Sequence, residues 1–185
     1  MEQGRTQSAM ARPNLEYLIA FVNPDGHNFV LDDWLNSDER KNTKYAVRNF
    51  YHAIPALRAL TTQKYDLIIL ELTLAPGLPG FSHELGDFDH DPEIERIMRT
   101  GGECENPDYW RLGLHVIKKV REQGPNQNTP LFVFSVYNPL SDLKFFEGER
   151  IDLLALNAGA NKFYSTLVEM PFFVEEVVKQ LNPRR

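Results

Sequence analysis

The chain has 185 residues, a net charge of −6 and 42% apolar residues, enough for one domain with a sizeable core and an elaboration. No apolar run approaches the ~20 residues of a membrane span, the opening residues lack the apolar centre of a secretory leader, and no basic footprint suits nucleic acid. The single cysteine, Cys104, excludes an internal disulfide framework, suits a reducing cytoplasm and has no evident base beside it.

Residues 1–14 read as a disordered tail, and residues 15–185 as a single domain. Residues 17–22, YLIAFV, form a first apolar strand, stopped by Asn23-Pro24-Asp25-Gly26. Residues 28–36 read as a short helix with Phe29, Val30 and Trp34 on one side. A polar loop leads to a second strand at 44–50, KYAVRNF. Residues 53–62 form a second helix, with Pro55 tolerated in its first turn.

Residues 65–80, YDLIILELTLAPGLPG, are the most informative stretch. Five of the six residues from Leu67 to Leu72 are apolar, and only Glu71 interrupts them. Such a run before a Pro/Gly-rich turn reads as a strand buried on both faces of a parallel sheet. Ligands of open α/β sheets bind outside the carboxyl ends of the strands. Glu71 therefore stands where this class of fold keeps its chemistry.

The next stretch, 81–108, carries nine acids and two bases, against seventeen acids and eighteen bases elsewhere. The acidity of the chain belongs to this segment. It exceeds the ~2–6 residues of an ordinary strand–helix loop and reads as an insertion. Within it, 91–99 suits a short helix with Asp91 as cap and Pro92 first, broken by Gly101-Gly102. His83, Asp87, Asp89, His90 and Asp91 match no metal-ligand spacing and read as a solvated loop.

Residues 109–123 form a clearer helix, with Leu112, Leu114, Val116, Ile117 and Val120 as its apolar side. Residues 131–136, LFVFSV, give a fourth buried strand whose one polar residue is Ser135. A helix at 151–158 ends at Gly159, a fifth strand covers 161–164, and an amphipathic helix closes the chain at 172–181. Five alternations of strand and helix predict a doubly wound, five-stranded parallel sheet in a three-layer α/β sandwich. Right-handed crossovers would bring the ends of strands one, three and four together.

These residues resemble the receiver domain of two-component response regulators, the CheY-like members of the flavodoxin-like folds. YDLIILELTLAPGLPG is similar to the family's third strand and loop, LGLHVIKKVREQGPNQNTPLFVFSVYN to its third helix and fourth strand, and LALNAGANKFY with Pro171-Phe172 to its closing segments. The resemblance implies phosphoryl transfer to a third-strand aspartate, with Mg²⁺ held by that residue and two acids after strand one. A strand-four Ser/Thr and a strand-five Lys contact the phosphoryl group.

Here the phosphoacceptor position is Glu71, and the acidic pair becomes Asn23-Pro24. Ser135 keeps the hydroxyl, and Phe163 stands at the aromatic switch position. The Lys position falls on Thr166 counted from Gly159-Ala160, or on Met170 counted back from Pro171-Phe172. Lys162 is near, at the wrong spacing. The resemblance thus implies a divergent member without the phosphoacceptor Asp, whose Mg²⁺ site and phosphorylation are lost. It implies no cofactor and no enzymatic activity, but a protein-binding signalling module of a two-component or phosphorelay pathway. Its partner would meet the face of helix 151–158, strand 161–164 and helix 172–181, and a homodimer is a further expectation. The acidic insertion is a second contact candidate, steering a basic partner.

For Glu71 two readings stand: a charge pushed outward in imitation of phosphoaspartate, weaker than the −1.5 to −2 of a phosphorylated group, or an acid solvated at a disused site. Asp25 is a displaced metal ligand or the Asp of a Pro-Asp-Gly turn. An active receiver using Asp25 and Glu71 in unusual geometry is one alternative. A small α/β enzyme with Ser135 as nucleophile in the strand-end crevice is another, although Ser135 lies outside any Gly-x-Ser-x-Gly elbow and no Gly-rich phosphate loop is present.

Overall fold

The computed structural model describes residues 15–24, 28–37, 43–74, 92–101, 109–135, 149–165 and 170–182. The tail 1–14, Asp25, Cys104, the His83–Asp91 cluster and Thr166 lie outside them. The elements run β1 (Leu15–Val22), α1 (Asn28–Leu35), β2 (Thr43–Phe50), α2 (Ala53–Thr62), β3 (Leu67–Leu70), α3 (Pro92–Gly101), α4 (Tyr109–Glu122), β4 (Leu131–Ser135), α5 (Ile151–Ala158), β5 (Lys162–Ser165) and α6 (Met170–Leu181). The strands lie in the order β2-β1-β3-β4-β5, and every neighbouring pair is parallel. This is the sheet that the alternating pattern predicts.

The sheet separates two apolar layers. On one face Ile19, Phe21, Leu67, Ile69, Phe132 and Phe134 pack with α1 and α6. On the other, Ala20, Val22, Ile68, Leu70, Leu131 and Val133 pack with α2, α3, α4 and α5. Side chains alternate between the faces with period two. All four residues of β3 are fully buried, as a central parallel strand requires.

Most element ends differ from the sequence reading by a residue or two, and so does the core side of α1. In α1 the core is met by Leu31 and Leu35, four residues apart, while Trp34 is 41% exposed. The apolar stripe therefore belongs to the i, i+4 pair rather than to the tryptophan. Helix α3 runs through Gly101, two residues past its expected end at Arg99 and into the expected glycine break. Strand β5 begins one residue later than read and ends at Ser165.

The amino ends of β3 and β4 are tied by a buried polar cluster. The Asn126 side chain is fully buried and donates to the carbonyls of Leu60 and Gln63, both at 2.6 Å. It accepts from the Tyr65 N–H at 2.9 Å and from the Thr129 hydroxyl at 2.9 Å. The Arg121 guanidinium donates to the carbonyls of Gly159 and Thr129 and to the Asn161 side chain. Burial pushes its pKa below the usual arginine value. Gly159 is required at that contact: its φ is 117°, and a Cβ would lie 2.6 Å from Arg121 Cγ. This rigid base leaves the opposite, carboxyl ends of the strands for the site.

Asn126→Ala would strand two carbonyls and one N–H in the interior. We expect a loss of about 2–4 kcal/mol, read as a fall in the urea midpoint with an unchanged m value.

Candidate functional site

The carboxyl ends of β1 and β3 meet where the chain order of the sheet reverses, since β1 is flanked by β2 on one side and β3 on the other. Such a reversal opens a crevice. Val22 pairs with Leu70 in register. One step further, the Glu71 N–H donates to the Val22 carbonyl at 2.8 Å, and the Asn23 N–H donates to the Phe50 carbonyl at 2.9 Å. Asn23 and Glu71 are thereby held on adjacent strand ends.

The Glu71 carboxylate is not solvated; the residue is 3% exposed. Its Oε1 accepts the Ser135 hydroxyl at 2.8 Å and the Thr73 N–H at 3.2 Å. Ser135, at the end of β4, is fully buried. A carboxylate withdrawn from water needs such donors. The reading of an acid solvated at a disused site is therefore corrected. The longer Glu side chain reaches across to the β4 hydroxyl instead.

In this conformation the Ser135 hydroxyl is engaged by its bond to Glu71. The donor set at this fork, among the described residues, is one carboxylate already engaged by protein donors, with the 7%-exposed Asn23 beside it. Mg²⁺ favours near-octahedral coordination with carboxylate and water oxygens, and this set fits it poorly. Among the described residues no group of three or more His, Cys, Asp or Glu side chains is arranged to hold a metal.

The same arrangement of sheet and helices recurs in solved structures. A response regulator receiver protein from Pseudoalteromonas atlantica matches with a TM-score of 0.55 and 14% identity, over 91% of this chain and 99% of that one. A CheY-like receiver domain protein from Methanospirillum hungatei matches at 0.53 and 15%, over 92% and 96%. The receiver domain of a sensor histidine kinase from Pseudomonas aeruginosa, which holds a magnesium ion in its active-site cleft, matches at 0.52 and 15%, over 91% and 96%. The fold is that of a CheY-like receiver domain. No protein-family model matches the chain, and no curated protein matches it. Among the described residues no helix is long and apolar enough to cross a membrane.

Within this receiver fold the remaining predicted positions separate. Lys162 pairs in register with Phe132, three residues before the Ser135–Ser165 pair, or about 10 Å along the strand. Its ammonium lies 5.2 Å over the Phe132 ring and bonds Glu176 on α6. It is thus committed to the α6 side, as its spacing implies. Met170 opens α6. Phe163, next to Lys162, packs against the layer of α2 to α5.

The sequence reading missed Thr73. Its N–H serves the carboxylate two residues earlier, a local side-chain-to-backbone pattern that acids readily adopt. The spacing Glu71-x-Thr73 after the strand was the available signal. Thr73 Oγ1 is buried and has no hydrogen-bond partner; His52 Nδ1, at the start of α2, shares that condition.

The Lys162–Glu176 contact sets a pH dependence. The hydrogen bond from Lys162 holds Glu176 below the usual carboxylate range, and Glu176 lifts Lys162 above the usual lysine value. The contribution is present at neutral pH. It is lost as pH falls through the lowered Glu176 value, and again as pH rises through the raised Lys162 value. Urea denaturation across a pH series should show Glu176→Gln converging on the wild type in acid and falling below it near neutrality.

Proposed function

We propose that the chain is a pseudo-receiver: a receiver-like, protein-binding signalling module of a two-component-type pathway whose switch site works without phosphorylation and without Mg²⁺. One observation carries this reading. Glu71, at the position the resemblance gives to the phosphoacceptor, bonds the Ser135 hydroxyl directly. The strand-four hydroxyl that would contact a phosphoryl group already has a permanent anionic partner. In the Pseudomonas receiver a magnesium ion occupies the cleft, whereas Asn23 and a buried, engaged Glu71 stand at these strand ends.

Incubation with Mg²⁺ and acetyl phosphate is expected to leave the intact mass unchanged, and Mg²⁺ with beryllofluoride to leave tryptophan fluorescence unchanged. A stoichiometric phosphoryl adduct, or a saturable Mg²⁺-dependent shift, would overturn the proposal and return the active reading that uses Asp25. Ser135→Ala removes a donor from a buried carboxylate and should cost about 1–3 kcal/mol in urea denaturation.

The proposed partner surface is the face of α5, β5 and α6. Strand β5 is an edge, and the flanking helices leave Leu153 48%, Leu156 40% and Phe172 52% exposed. The same apolar face suits a homodimer. Leu156→Glu should shift stability by less than about 0.5 kcal/mol while abolishing concentration-dependent association in sedimentation velocity. Equal sedimentation of variant and wild type at every concentration would rule out self-association through this face.

A further inference from the structure

One crossover helix is enough to connect β3 to β4 in a right-handed parallel sheet, and α4 provides it. Helix α3 is additional. It occupies the middle of the acidic insertion, yet it is not all surface. Ile94 is 3% exposed and Ile97 1% exposed. Both belong to the apolar layer that contains Leu72, Leu74, Trp110 and Leu112. Beside them the helix carries the partly exposed Glu93–Arg96 ion pair. Leu72 and Leu74 bracket Thr73, whose N–H bonds the Glu71 carboxylate.

Two further facts show that apolar packing has a large share in holding this segment. Thr73 Oγ1 is buried without a partner, which disfavours the conformation. Gly113 of α4 lies directly on the segment: a Cβ there would come 2.3 Å from the Leu72 carbonyl oxygen. Leu72 is thus pressed from α4 and shares its apolar layer with α3.

We propose that α3 is an intramolecular latch on the strand-end site. By burying Ile94 and Ile97 in the layer of Leu72 and Leu74, it keeps the 72–74 segment seated and Glu71 bonded to the Thr73 N–H and the Ser135 hydroxyl. Lifting α3 releases that segment and lets the carboxylate leave Ser135. The inference deepens the pseudo-receiver reading and rests on it: the helix inside the insertion, rather than a phosphoryl group, sets the state of the switch.

The test is amide exchange followed by NMR on the full ¹⁵N-labelled chain. The Thr73 amide reports its bond to Glu71. Ile97→Ala should raise Thr73 exchange roughly ten-fold or more, with amides of β1 and α6 unchanged. Val177→Ala, a truncation in the opposite apolar layer, should leave the Thr73 rate unchanged. If Ile97→Ala does not fold, Ile97→Val takes its place, with a rise of roughly three-fold.

An unchanged Thr73 rate in the Ile97 variant, or the same rise in Val177→Ala, would overturn the latch. Glu71→Ala separates the two ideas. If it releases Thr73 while the Ile97 variant does not, the latch alone fails. If Thr73 is unprotected in the wild type, or indifferent to Glu71→Ala, the Glu71 contact fails and takes the latch with it.

Discussion

A carboxylate that leaves water must be given donors, and the centre of this molecule is organised around giving them to Glu71. The residue follows a strand buried on both faces, so its backbone position is fixed by the sheet. Its side chain then has few ways to be satisfied. The β4 hydroxyl and the N–H two residues on supply two bonds, and both end on the same Glu71 oxygen. The contact joins the ends of β3 and β4, which the register has already placed side by side. Removing the hydroxyl would leave the acid where it is and take away part of what makes its burial tolerable.

The sheet was legible in the sequence because its signal is local and redundant. LIIL and LFVFS can hardly be anything but buried strands, and Pro/Gly turns or glycine-stopped helices punctuate the alternation. The position of Glu71 followed from the same pattern. Its environment did not. Whether an acid at a strand end faces water depends on a hydroxyl 64 residues away and on how the following turn folds back. Neither has a period to detect. Trp34 shows the same limit at smaller scale: on a short helix, an apolar residue one position off the i, i+4 pair points outward, and Leu31 and Leu35 take the core.

The helix expected at 91–99 in the insertion is present as α3, but its buried pair was not read. Nine acids in 28 residues suggest a solvated surface. Two isoleucines three residues apart on a single helix are enough to anchor it, because a buried branched side chain contributes about 1.5–3 kcal/mol. Composition averages hide such pairs. Helix α3 itself carries as many bases as acids, and Ile94 and Ile97 give it an apolar side that the count of the whole segment conceals.

A switch worked by phosphorylation changes the charge at its site by adding a group, whereas an unmodified glutamate adds none. On the pseudo-receiver reading Glu71 fixes the charge at the site, so the balance between conformations is set by packing and hydrogen bonds within the chain. A partner can then move that balance only by its difference in affinity for the two states. Turning an equilibrium from one per cent to ninety-nine takes about 5.5 kcal/mol of such difference. That is comparable to the combined contribution of two buried isoleucines and one charged hydrogen bond. The forces that hold the 72–74 segment are therefore of the size that a protein–protein contact can oppose, and a partner able to unseat α3 would regulate the site without any chemistry at Glu71.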